Sequence, residues 1–259
     1  MPAQSPERRA ARRVVATAVA ILGCSALSMT GTAAAQPAAA GGVPQPFSAS
    51  YEVFWKGVNA ASAGLELRRD GTDRYTYVSR NNARGMFRLA FPGEVNQTSQ
   101  FTLEAGRPRP VSYRADDGTD DTRRDVSLTF DWAAMRVRGR AEDKPVDVAL
   151  RPGAQDGMSV QIALMLDLQR GGSPDGFWLI DRNELKQYEY TGEGVARIAT
   201  ALGELDTVIW SSRRPGSERV TRVWYAPSLG YLPVQAERRR GGKLEWQMRI
   251  TRLSRPAGS

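Results

Sequence analysis

A mainly β fold, an antiparallel curved sheet or partly open β-barrel around one buried α-helix, is what the sequence predicts. Three observations carry this. From Phe47 to about Leu253 apolar and polar residues alternate with period two, broken by clusters of Gly, Pro, Asn and Asp, the pattern of short strands joined by tight turns. A single stretch between Asp156 and Gly171-Gly172 has helix length instead. The strand-like segments follow one another without intervening helices, which favours an antiparallel meander over parallel pairing. The 41% apolar and 25% charged content of the 259 residues suits a folded globular chain.

Residues 1–35 read as an export signal. Arg8, Arg9, Arg12 and Arg13 form a basic head, Val14 to Leu27 an apolar stretch, and Ala33-Ala34-Ala35 a small-residue cleavage site before Gln36. The apolar stretch falls short of the roughly 20 residues that cross a bilayer. Ile21-Leu22-Gly23-Cys24 is a degraded lipobox, so an outer-membrane lipoprotein acylated at Cys24 is the alternative to a periplasmic protein. Residues 36–46, rich in Ala, Pro and Gly, read as a flexible linker, residues 47–254 as one β-rich domain, and 255–259 as a disordered tail.

Within the domain the clearest strand is Leu244 to Thr251, where Leu244, Trp246, Met248 and Ile250 alternate with Glu245, Gln247 and Arg249. Gly241-Gly242 supplies its turn. Val126 to Phe130 and Met135 to Arg140 form a hairpin, and Asp70-Gly71 turns another. Further strands are expected at 48–55, 63–69, 74–80, 96–104, 111–115, 146–150, 177–181, 185–191, 195–200, 203–213, 220–225 and 232–240. The helix, Gly157 to Gln169, takes Asp156 as N-cap, accepting from the amide of Ser159, and ends at the two glycines. Apolar residues cover most of its circumference, so it should be buried on more than one side.

The chain contains no histidine and only one cysteine, Cys24, which the leader would carry away. Imidazole bases, Ser-His-Asp triads, thiolate metal sites and disulfides are thereby excluded from a mature protein. No cofactor or metal is expected. The acidic run Asp116 to Asp125 has oxygen ligands but not the spacing of a calcium loop, and reads as an exposed hairpin loop. A carboxylate-dependent glycan-acting enzyme would need two of Glu52, Glu66, Glu94 and Glu204 facing each other at about 5 to 9 Å, and nothing in the sequence pairs them. The net charge of +8 falls but stays positive without the leader, which favours anionic envelope material, with peripheral membrane contact, over nucleic acid, for which no recognition motif appears. Arg136, Arg138 and Arg140 project from one strand face at about 7 Å spacing, as contacts for an anionic polymer or as a solvated face with acidic cross-strand partners.

Most aromatic residues are core. Some inward ones, in a partly open barrel, would line a ligand cavity instead. Trp55, Ile162, Met165 and Trp224, the last expected to pack inward, are the candidates, with Met86, Phe87 and Phe91 on a loop over its mouth.

Several residues in order resemble domain-of-unknown-function family 3108 of exported Gram-negative proteins: Tyr51-x-x-x-Trp55 with Gly57, Pro110 with Tyr113, Asp156-x-x-Ser159, Gly203-Glu204-Leu205-x-Thr207, Trp224 followed by Pro227, and Tyr231-Leu232-Pro233-Val234. The resemblance implies an envelope-associated β-rich fold and brings no catalytic residues. The expected function is a non-catalytic periplasmic protein binding an apolar or amphipathic envelope component such as a lipid. The alternatives are a structural or interaction protein engaging an envelope partner or cell-wall polymer, and the glycan-acting enzyme.

Overall fold

The computed structural model describes residues 43–256. The expected leader, Cys24 and the linker up to residue 42 lie outside these. Of the remaining linker, Pro44 is already buried, and at the other end Arg255 donates to the carbonyl of Leu229 at 2.7 Å.

Eight strands run in sequence as neighbours: β1 (Phe47–Trp55), β2 (Val58–Arg69), β3 (Arg74–Ala83), β4 (Val95–Glu104), β5 (Arg107–Asp116), β6 (Val126–Asp131), β7 (Arg136–Ala141) and β8 (Lys144–Ala149). The helix α1 (Ser159–Gln169) follows. Six more strands return: β9 (Gly176–Asp181), β10 (Glu184–Thr200), β11 (Gly203–Arg213), β12 (Arg219–Ala226), β13 (Leu232–Arg240) and β14 (Lys243–Ser254). All fourteen form one antiparallel sheet in the order β8-β7-β6-β5-β4-β3-β2-β1-β14-β13-β12-β11-β10-β9. The two meanders join at β1 and β14, where Tyr51, Val53 and Trp55 lie opposite Ile250, Met248 and Trp246. These are two strongly alternating segments, and pairing them puts both apolar faces on the same side.

Hairpins close where the sequence permits positive φ. Lys56-Gly57, Ala105-Gly106, Glu142-Asp143 and Gly241-Gly242 each link two strands through a pair of left-handed residues, the turn whose twist matches that of the strands. One difference from expectation lies in β10. The segments 185–191 and 195–200 are a single strand, and Gly192-Glu193-Gly194 is a bulge rather than a turn, with a register shift against β11. One extra residue bends a strand without ending it, and Gly192 there lies against the ring of Trp210.

The sheet does not close into a barrel. Next to the β9 edge Gln155, beyond the end of β8, makes an isolated bridge, its amide donating to Trp178 O at 2.8 Å and its carbonyl accepting from Ile180 N at 3.0 Å, and Arg182 pairs with Glu142 of the β7–β8 turn at 2.9 Å. Behind this seam Leu128, Phe130, Val137, Val146, Leu150 and Ile180 form a satellite core. The β8 edge is protected. Leu150 N bonds to Met135 O, so the backbone of Pro145 and Asp147 faces outward; Pro145 has no donor to offer there, and Arg136 Nη2 covers the Asp147 carbonyl at 3.1 Å.

α1 fills the interior. Ser159, Val160, Ile162, Ala163, Leu164, Met165, Leu166 and Leu168 are all buried, as the absence of a polar stripe requires. Burial of each large aliphatic side chain contributes roughly 1.5–3 kcal/mol. Its polar positions are tied down: Gln161 Oε1 accepts from Tyr77 on β3 at 2.9 Å, Gln169 Nε2 donates to Gly230 O in the turn before β13 at 2.9 Å, and Asp167 pairs with Arg170 at the helix end. The start is capped as predicted, Asp156 Oδ1 accepting from Met158 N and Ser159 N at 2.8 Å each, while Ser159 Oγ accepts from Asp156 N at 3.0 Å. At the far end Gly172 N returns to Asp167 O at 2.8 Å and Gly171 N to Leu168 O at 3.0 Å, with Gly171 at φ +71, a Schellman stop.

Candidate functional site

α1 packs against β4 and β5. On its other side, between α1 and strands β2 and β12 to β14, lies an apolar cavity of about 50 Å³, lined by residues that include Leu65, Val160, Leu164, Tyr225, Trp246 and Met248. This volume takes a few waters. One lining residue, Trp246, brings a buried polar group, and Arg238 lies behind it. Trp246 is 2% exposed, and its indole Nε1 has no acceptor among the described residues. Arg238, opposite Trp246 and Thr221 in the ladders, is buried with its guanidinium 5.4 Å from the Trp246 ring centre and Nε 3.3 Å from Glu245 Oε2. Desolvation pulls Arg238 down to about 10 against the opposing pull of Glu245, so it stays cationic at neutral pH. An unmet buried donor costs about 1–3 kcal/mol, and a buried charge is retained only where something pairs with it.

Around this space the ionisable groups are poor proton carriers. Burial pushes the phenols of Tyr51, Tyr77, Tyr190 and Tyr225 upward, which keeps them neutral donors; Tyr51 spends its hydroxyl on Pro233 O at 2.9 Å. Asp156 is buried and its carboxyl is raised by desolvation, against hydrogen bonds from Ser99, Ser159 and Met158. Those bonds occupy both of its oxygens, and it lines neither this cavity nor the cleft below. Its work is to hold α1 to β4.

A second space of about 410 Å³ opens at the seam, beneath the α1 C-terminus, lined in part by Arg107, Gln155, Asp167, Arg170, Asp175 and Trp178. Gln155 donates to Pro108 O at 2.9 Å and Gly153 O at 3.1 Å. Its Oε1, also buried, accepts nothing among the described residues.

The residues singled out from sequence fall into separate places. Ile162 and Met165 are buried on α1 but do not line the cavity. Trp55 is half-buried at the end of β1, paired with the cavity residue Trp246, and its ring meets Phe87 edge-on at 5.8 Å. Phe91 is 2% exposed in a small core with Ala83 and Val95, whereas Met86 is 76% exposed. Trp224 does not line the cavity, as its neighbours Val223 and Tyr225 do; it lies opposite Ile209 and Gln235 and is half-buried against the main core. Arg138 and Arg140 are ion-paired to Asp131 and Asp143 and Arg136 to Asp147 at 2.6 Å, the solvated-face arrangement. Glu52, Glu66, Glu94 and Glu204 pair with Arg84, Arg80 and Arg197 around the outside, with Glu52 also accepting from Asn59; none lines either space. In the acidic loop, carboxylate oxygens of Asp116, Asp117 and Asp125 gather within 4.8 Å, held by the loop's own bonds, Thr119 and Arg124 to Asp117 among them.

Sequence reasoning missed Arg238. Its place in the run Arg238-Arg239-Arg240 reads as solvated charge, and the usable signal was parity, since Arg238 shares a face with Ala236.

Residues 50–241 match the family described as "Protein of unknown function (DUF3108)". The chain belongs to DUF3108. The resemblance carried by the ordered motifs from Tyr51 to Val234 is thereby borne out. No curated protein matches the chain. Among solved structures, this DUF3108 domain is similar to a β-barrel-like protein of domain family DUF1849 from Brucella abortus, with 10% identity, a TM-score of 0.54, and 82% of this chain and 98% of that one covered; the likeness is one of fold. MucB overlaps with 12% identity and a TM-score of 0.37 over 83% of this chain and 55% of its own. A protein with a YmcC-like fold from Bacteroides fragilis gives 9% identity and a TM-score of 0.37 over 83% and 98%.

Proposed function

We propose that this DUF3108 protein is exported to the cell envelope and there holds, without catalysis, an amphipathic component whose apolar chain lies between α1 and the sheet and whose acceptor-bearing head meets Arg238 and Trp246. The observation that carries this is an apolar cavity lined by Trp246, whose indole N–H has no acceptor among the described residues, with the buried Arg238 beside that ring. A chain-like ligand needs far more than the present 50 Å³, since ligand pockets run to about 300 Å³ or more, so α1 must shift toward the seam to admit it. In support, α1 is flanked by Gly153 and by Gly171-Gly172, and the segment leading into it is bridged to the β9 edge through Gln155. Trp55, which pairs with Trp246, belongs to this site on the same reading; Ile162 and Met165 move with the helix, and Phe87 sits over Trp55.

Native mass spectrometry of the protein purified from its own envelope tests the proposal. Bound lipid-sized mass is expected on the wild type and lost in Arg238→Met and Trp246→Phe variants that keep their circular dichroism. Only unliganded protein, with no uptake of added oleate, would sink it. The mature N-terminus, read in the same experiment, should begin at Gln36; an acylated Cys24 would make it a lipoprotein.

A further inference from the structure

We propose that the 3-10 turn Gly85–Leu89, together with the tip of the β1–β2 hairpin, docks this protein on an anionic lipid bilayer surface. The turn is pinned from below. Phe87 packs edge-on against Trp55, Phe91 is buried with Ala83 and Val95, and Phe91 N and Ala90 N both bond to Phe87 O, at 3.0 and 3.1 Å. With the aromatic residues turned inward, the remaining apolar ones point out: Met86 is 76% exposed and Leu89 85%. Val58, at the neighbouring hairpin tip, is 56% exposed, and the two segments meet because Arg84 N bonds to Ala60 O at 2.8 Å.

Within the turn itself the charge has one sign. Residues 83–92 include Arg84 and Arg88 and no acid. Lys56, on the hairpin tip, stands 4.8 Å from the Trp55 ring centre. Arg84 is shared with Glu52 at 3.5 Å, and Arg88 makes no ion pair among the described residues. A small projecting group of aliphatic side chains ringed by cations suits the headgroup boundary of an anionic membrane, where apolar insertion and attraction to anionic lipid add together. It is too small for a specific protein interface, which buries about 800 Å² on each partner.

This goes beyond ligand binding in the interior and is separable from it. Vesicle flotation of the purified protein on phosphatidylglycerol–phosphatidylcholine vesicles, against phosphatidylcholine alone, is the test. Binding to the anionic vesicles is expected, weakening as salt rises from about 0.1 to 1 M and the screening length falls from about 10 to 3 Å. The double variant Met86→Ser/Leu89→Ser should lose binding at least tenfold, and Arg84→Gln and Arg88→Gln about fivefold for each cation removed. Because all four side chains are exposed, folding is not at stake. Trp246→Phe should leave flotation unchanged, so failure of the interior site and failure of the docking patch are told apart. Equal binding to both vesicle types, no binding to either, or wild-type binding by the serine variant would overturn the proposal.

Discussion

Asp156 is the joint between α1 and the sheet, and removing its side chain should cost the protein a large part of its stability. Three donors converge on it: the amides of Met158 and Ser159 at 2.8 Å on Oδ1, and the Ser99 hydroxyl at 2.6 Å on Oδ2. Asp156→Ala removes an N-cap, worth about 0.5–2 kcal/mol, and leaves buried donors unmet at about 1–3 kcal/mol each; the hydroxyl can turn elsewhere, which leaves an expected loss of about 3 kcal/mol. Asp156→Asn keeps an oxygen for both amides and should lose under about 1 kcal/mol at neutral pH. The pair also separates charge from geometry. Burial holds the folded carboxyl above its ordinary 3.8, so the folded state binds this proton more tightly than the unfolded chain does. The contribution of Asp156 is thus fully present below the unfolded pKa and is lost as pH rises through the folded one. Relative to wild type, Asp156→Asn should therefore gain stability as pH rises through that window. Urea unfolding of the three proteins across that range measures it. An alanine variant within about 1 kcal/mol of wild type, or an asparagine variant as weak as the alanine one, would refute the reasoning.

Gly139→Ala should be among the most damaging substitutions in β7, by about 3 kcal/mol or more, because φ is +149 and a Cβ there would lie 1.9 Å from Ser127 O; thermal melts of the purified variant report it. Tyr51→Phe should cost about 1 kcal/mol through loss of the bond to Pro233 O at 2.9 Å, read from the urea midpoint. Arg238→Met, which removes the buried cation and leaves Glu245 partly exposed and paired with Arg219 at 3.3 Å, should cost less than the roughly 3–5 kcal/mol of breaking a fully buried pair; a larger loss in the urea midpoint would refute this.

Much of the fold was legible because it rests on local periodicity. Tyr51-Val53 and Trp246-Met248-Ile250 announce their buried face by alternation alone, and the Asp156 cap and Gly171-Gly172 stop bracket α1 with residue types that only a few backbone conformations favour. The absence of a polar stripe between Val160 and Leu168 states that the helix is enclosed. What failed were readings that depend on pairing. Gly192-Glu193-Gly194 looks like a turn until β11 is seen to continue alongside it, and Trp224 looks like a cavity residue until Val223 and Tyr225 are seen to take that place while it packs against the core without lining the space.

The arginines make the same point about the candidate site. Arg136, Arg138 and Arg140 attract notice because three cations in alternation look like a built surface, yet Asp131, Asp143 and Asp147 balance them, and Arg136 also covers an edge carbonyl. Arg238 stands in a run that looks equally solvated, yet a side chain two residues from Ala236 must share its inward face, and there it meets Trp246 in the core. Taking a guanidinium out of water has a desolvation cost, and Glu245 and the Trp246 ring are among the groups that offset it.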